Sequence, residues 1–141
     1  MTSGRFAIAA HALALLAITP GGMSSDDLAK SVNTHPVFLR RIMTALGRAG
    51  LVAGREGRAG GYRLARDASS ITLADVFAAV EPPQIAPAPT DPNAVCVLSA
   101  GMRGAFDEIA RAADAGMREA LGRRTVAELA ARALDLGRHA G

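Results

Sequence analysis

At 141 residues the chain has room for one domain, or one domain with an appendage, and half its residues are hydrophobic. Aromatics are only 4 %, so Ala, Leu, Val and Ile must fill the core, and alanine-rich stretches without strand-type alternation favour helix. The net charge of +3 hides a split: residues 1–66 carry nine Lys/Arg against three Asp/Glu, and residues 67–141 carry seven Arg against ten Asp/Glu. A basic front suits contact with a polyanion, with a plain solvated surface as the alternative.

The first helix is predicted over about Arg5 to Ile18, stopped by Pro20, Gly21 and Gly22. Its apolar run, Phe6 to Ile18, spans thirteen residues and is interrupted by His11. It is too short to cross a bilayer and lacks the layout of a signal peptide, so no membrane partner is expected. Its near-continuous apolarity predicts burial on most sides, with His11 in the core or at an interface. A second helix is predicted from the Ser24/Ser25 cap to about Val32, with Asp26 and Asp27 near the positive end of its dipole. Asn33-Thr34-His35 reads as a turn, and Pro36 is a good first residue for a third helix.

In that third helix Phe38, Leu39, Ile42, Ala45, Leu46 and Ala49 share one face. Arg40, Arg41, Thr44, Arg48 and Val37 fall on the other, and Gly50 ends the helix. Helix, short turn, helix is the helix-turn-helix pattern. Leu51-Val52-Ala53 and Tyr62-Arg63-Leu64 then read as two antiparallel strands around a turn of Glu56, Gly57, Arg58, Ala59, Gly60 and Gly61, which together would form a wing. A capping box, Thr72 with Asp75, opens a fourth helix whose buried stripe is Leu73, Val76, Phe77 and Val80.

Residues 81–95 carry five prolines and no usable period, the mark of a linker or surface loop. A long helix is predicted from about Leu98 to Leu121, with Leu98, Met102, Ala105, Ile109, Ala112 and Gly116 in a heptad-like seam and Phe106 and Met117 beside it. A last helix opens at the box Thr125 to Glu128 and carries Leu129, Ala133 and Leu136; His139 falls in a tail expected to fray. The fold class is therefore mainly α: a winged helix-turn-helix with a small β-hairpin wing and a long C-terminal helix. Three parts are expected: a winged-helix domain over 1–81, a proline-rich loop over 82–97 and a helical region over 98–141.

The polar face of the third helix suits the major groove of DNA, and a basic glycine-rich hairpin beside it suits phosphates or the minor groove. Arg40, Arg41, Thr44 and Arg48 are the groove-facing candidates, because arginine can donate two bonds to guanine and threonine can meet a base edge or a thymine methyl. Thr34 and His35 lie at the helix start, where backbone amides favour a phosphate; capping is the alternative role for both. Arg55 and Arg58 flank the wing turn, and a narrow minor groove attracts arginine. Tyr62 reads as a prop between wing and core. Cys96, the one cysteine, excludes an intrachain disulfide and suits the cytoplasm. It precedes a helix N-terminus, which can lower a thiol pKa and make it oxidisable; a small apolar filler is the plainer reading. His11, His35 and Cys96 lack metal-ligand spacing, and no catalytic motif is present.

The order of elements resembles the Rrf-two family of bacterial winged-helix regulators, which includes the iron–sulfur cluster assembly regulator, nitric-oxide-sensing repressors and the cysteine-metabolism repressor. The resemblance covers nearly the whole chain. It is carried by VNTHPVFLRRIMTALGRAGLV, by GRAGGYRLARDASSITLADVFAAVE and by Cys96 ahead of the long helix. It implies a homodimer paired through the long helices, here through Leu98, Met102, Ala105, Phe106, Ile109 and Gly116. It also implies recognition helices in the major groove and wings in the minor groove of a palindromic operator, and often repression that answers redox or iron state. Cluster-binding members carry three closely spaced cysteines at the start of the long helix. Cys96 stands alone, so the chain resembles the cluster-free subset and no iron–sulfur cluster or other cofactor is expected. The expectation is thus a cytoplasmic, non-enzymatic, homodimeric regulator of double-stranded DNA. The alternatives are a winged-helix protein-interaction module and a metal- or cofactor-sensing regulator.

Overall fold

The computed structural model describes residues 4–55, 60–85 and 96–141. Its helices are α1 (Arg5–Ala17), α2 (Ser25–Ser31), α3 (Pro36–Arg48), α4 (Leu73–Val80), α5 (Val97–Gly122) and α6 (Val126–His139). An antiparallel hairpin, β1 (Val52–Arg55) and β2 (Gly61–Leu64), lies between α3 and a 3-10 turn at Ala68–Ser70. The chain is mainly helical with a two-stranded wing, as the periodicity predicts.

Caps set the helix boundaries. Ser24 accepts from the Asp27 N–H at 3.1 Å and opens α2. At the far end Asn33 takes a left-handed φ of 54°. The Asn33 N–H donates to the Lys30 carbonyl and the Thr34 N–H to the Ala29 carbonyl. That pair of bonds is a Schellman ending, and it is the tight turn of the helix-turn-helix. α3 closes the same way: Gly50 has φ 74°, its N–H meets the Gly47 carbonyl, and the Leu51 N–H meets the Leu46 carbonyl. Leu46 and Leu51 are both buried, which supplies the hydrophobic contact that accompanies such endings.

The core sits where α1, α2, α3 and α4 converge, with Val126 of α6 added to it. Leu13, Leu28, Leu39, Met43, Leu46, Leu51, Ile71, Val76 and Val126 are fully enclosed. Each such aliphatic side chain contributes about 1.5–3 kcal/mol relative to exposure. One sequence expectation for α3 changes: Ala49, which caps the helix, is exposed, and Met43, which the apolar pattern left unassigned, is buried. His11 is exposed on α1 and therefore lies outside the core. His139 is no frayed tail but the last residue of α6, with its Nδ1 2.7 Å from the Asp135 carbonyl.

The wing is anchored at a point the sequence pattern does not show. Met23, between α1 and α2, exchanges both backbone hydrogen bonds with Tyr62, at 2.9 and 2.8 Å. Gly22 (φ 84°) precedes this bridge, and a Cβ there would come within 2.6 Å of the Tyr62 carbonyl oxygen. A second backbone stitch joins the start of α4 to the start of α6. The Leu73 N–H donates to the Arg124 carbonyl and the Val126 N–H to the Ile71 carbonyl, each at 2.9 Å. α5 has 26 residues and none of them is buried. No helix among the described residues is long and apolar enough to cross a membrane.

Candidate nucleic-acid interface

α3 turns its buried residues Leu39, Ile42, Met43 and Leu46 to the core. At about 100° per residue this places Val37, Thr44 and Arg48 at the centre of the opposite face, with Arg40 and Arg41 flanking it on either side. All five are exposed. The Thr44 hydroxyl donates to the Arg40 carbonyl at 2.8 Å, which leaves its oxygen free to accept and its methyl free for apolar contact. Val37, 45 % exposed, adds a second apolar group to this face. It is a candidate for a thymine methyl, and the sequence pattern places it on the polar side without singling it out.

At the start of α3, His35 is the N-cap, and its Nδ1 accepts from the Val37 N–H at 3.2 Å. An accepting Nδ1 places the ring proton on Nε2, which points a donor away from the helix. The Thr34 N–H is already used by the Ala29 carbonyl at 3.0 Å. The Thr34 and Val37 amides at this helix start are thus engaged within the chain, and the His35 ring is exposed beside the partly buried Thr34. In the wing, Arg55 ends β1 opposite Gly61 and borders a polar cleft of about 470 Å³ that it shares with Ser24, Ser25 and Tyr62. Arg58 and Gly57 lie outside the described residues. Arg41 borders another cleft, about 230 Å³, with Arg5, Phe38 and Val80, so Arg5 joins the basic set.

Ion pairing separates the two halves of the chain. Among the described residues, no ion pair engages Arg40, Arg41, Arg48 or Arg55. The arginines of α5 and α6 are different: Arg118 pairs with Asp114, Arg123 with Glu119 and Arg132 with Asp135. Among the described residues, these four front guanidinium groups are thus left to meet an external anion, whereas Arg66 pairs with Asp75 and the back engages several of its arginines internally.

Cys96 is the N-cap of α5, partly buried and free. No formed side-chain hydrogen bond caps the helix there. The Ser99 hydroxyl and then the Ser99 amide, with a smaller share from the Leu98 amide, nevertheless favour the thiolate and hold the thiol below its usual value, against a slight desolvation. Along α5, Leu98 is 73 % exposed and Ile109 56 %, and Met102, Ala105, Phe106 and Gly116 are exposed beside them. This seam lies about 120° round the helix from Ala110, Asp114, Met117 and Leu121, which face α4. Met117 belongs to that inner face. Among the described residues no group of three or more His, Cys, Asp or Glu could hold a metal ion.

The sequence profile of Rrf2, described as an iron-dependent transcriptional regulator, matches residues 2–132. One chain supplies a single thiol, whereas cluster irons are held by several thiolates, so the donors of one chain do not fit an iron–sulfur cluster. YwnA of Bacillus subtilis, described as an HTH-type transcriptional regulator, is 33 % identical over 109 residues, 77 % of this chain and 80 % of that protein. A solved transcriptional regulator from Lactobacillus plantarum superposes with a TM-score of 0.76 at 26 % identity, covering 96 % of this chain and 91 % of that one. The oxidized form of Staphylococcus aureus CymR superposes with a TM-score of 0.63 at 26 % identity, covering 92 % and 96 %. These relatives are regulators rather than enzymes, and this chain, with its helix-turn-helix and wing, belongs to the Rrf2 family of transcriptional regulators.

Proposed function

We propose that the protein is a homodimeric repressor that binds a palindromic operator with α3 in the major groove and the wing against the minor groove. The observation that carries this reading is the outward face of α3, where arginines with no ion pair among the described residues surround Thr44 opposite the buried face of Leu39, Ile42, Met43 and Leu46. Arg40, Arg41, Thr44 and Arg48 meet the groove, His35 and Thr34 the backbone at its edge, and Arg55 and Arg58 the phosphates or minor groove beside it. Dimerisation through the α5 seam supplies the symmetry, and repression rests on the resemblance to the family. The test is selection of duplexes from a random library, followed by anisotropy titration over a salt series. The expected product is an inverted repeat. Arg40→Ala with Arg41→Ala weakens binding at least tenfold, and the salt slope falls by about 0.9 for each phosphate that the pair had neutralised. Equal binding by this double variant refutes the assignment.

A signalling role for Cys96 is favoured by its place at the start of the dimer helix and by the stabilised thiolate. Oxidation by diamide joins the two Cys96 thiols of a dimer, diamide taking up the two electrons and two protons, and the altered dimer releases DNA. Identical release by wild type and Cys96→Ser under diamide removes this role.

A further inference from the structure

Arg66 closes a basic segment that includes Arg55, Arg58 and Arg63, and a free guanidinium there would suit a phosphate. Its guanidinium is instead engaged: Nη2 lies 2.9 Å from Asp75 Oδ2. The same Asp75 oxygen accepts from the Thr72 N–H at 3.0 Å, while the Asp75 N–H donates to the Thr72 hydroxyl at 3.1 Å. The capping box therefore holds the carboxylate in place before Arg66 arrives, and only one side chain loses freedom on pairing. Thr72 and its neighbours are in turn stitched to Arg124–Val126 at the junction of α5 and α6. Arg66 sits two residues beyond the end of β2, so the pair ties the base of the wing to this fixed point. At the other end of β2, Tyr62 is held by Met23.

We propose that Arg66 is a positioning residue, which sets the wing for DNA through Asp75 and does not itself bind a phosphate. The proposal rests on the DNA-binding reading above. The two side chains are 44 % and 41 % exposed, so the pair adds little to global stability and its effect is on the angle and mobility of the hairpin.

The experiment compares wild type, Arg66→Gln, Asp75→Asn and the double variant. Asparagine retains an oxygen for the Thr72 N–H, so the α4 cap survives. Binding to the selected duplex is titrated over a salt series, and amide hydrogen exchange at Tyr62–Leu64 is measured in the free protein. Each single variant weakens binding about two- to fivefold, the range for an exposed pair. The double variant is no weaker than either single, the salt slope is unchanged, and wing exchange is faster in all three. A slope reduced by about 0.9 in Arg66→Gln makes Arg66 a phosphate ligand and overturns the proposal. So does binding that is unchanged or tighter in Asp75→Asn, which removes an acid and frees an arginine. Failure of the wild type to bind any duplex is a failure of the DNA reading, and the exchange measurement then judges the anchor by itself: unchanged exchange rejects it.

Discussion

Two residues show how neighbours override residue type. Thr44 is a poor choice for a helix interior on propensity, yet its hydroxyl is satisfied by the Arg40 carbonyl and its remaining functions face outward. Cys96 has the composition of a core filler, yet it caps a helix beside the Ser99 hydroxyl and amide. The depressed thiol pKa has a direct consequence. The rate of Cys96 alkylation by iodoacetamide, followed against pH, has its midpoint below the ordinary thiol value of 9.0, and Ser99→Ala moves it upward. A midpoint unaffected by Ser99→Ala contradicts the role of the Ser99 hydroxyl. Asp67 shows the same logic, with its carboxyl drawn down by the Ser69 hydroxyl and then the Ser69 amide.

At the scale of elements, the wing is the part whose placement depends most on distant contacts. Two short strands are marginal alone. This hairpin is held by the Met23–Tyr62 bridge, by the Ala65 N–H on the Leu51 carbonyl and by Arg66 on Asp75. The bridge requires Gly22, both for its φ of 84° and for the approach of the Tyr62 carbonyl. Gly22→Ala is expected to lose about 1–3 kcal/mol, measured as a shift in the urea midpoint, with faster amide exchange in β2. A variant with wild-type stability would show that the backbone can move aside. α3 behaves differently: its boundaries follow from Pro36, His35 and Gly50, all local, and tertiary contacts add only the choice of buried face.

At the scale of the whole molecule, α5 is the element that one chain cannot account for. A helix of 26 residues with no buried side chain, and with Leu98 and Ile109 more than half exposed, leaves an apolar seam in water. Pairing with a second copy is the proposed cover. Leu98→Glu with Ile109→Glu is expected to give a monomer by light scattering, since each apolar side chain removed from the seam forfeits about 1.5–3 kcal/mol of burial. The winged-helix body should keep its circular dichroism and thermal transition, because the core residues lie in other elements. Operator affinity should fall with loss of the second half-site. A variant that stays dimeric would place the interface elsewhere.

Helix order, the helix-turn-helix, the hairpin, the Thr72–Asp75 capping box and the Thr125 cap are legible in the residues because caps, glycines and apolar spacing act within a few positions. Arg40, Arg41, Thr44 and Arg48 can be placed on one face for the same reason. The pattern misplaces Ala49 and leaves Met43 unassigned because a 3.6-residue period locates a face only to within one side chain, and the neighbours set its edges. The Gly22–Met23 anchor, the α4–α6 stitch and the Arg66–Asp75 pair have no local signature. Met23 and Tyr62 are far apart in sequence, and a backbone bridge between them leaves no mark on residue type. Arg63 and Arg66 look alike as letters; only folding brings a carboxylate, already fixed by its own cap, within 2.9 Å of Arg66.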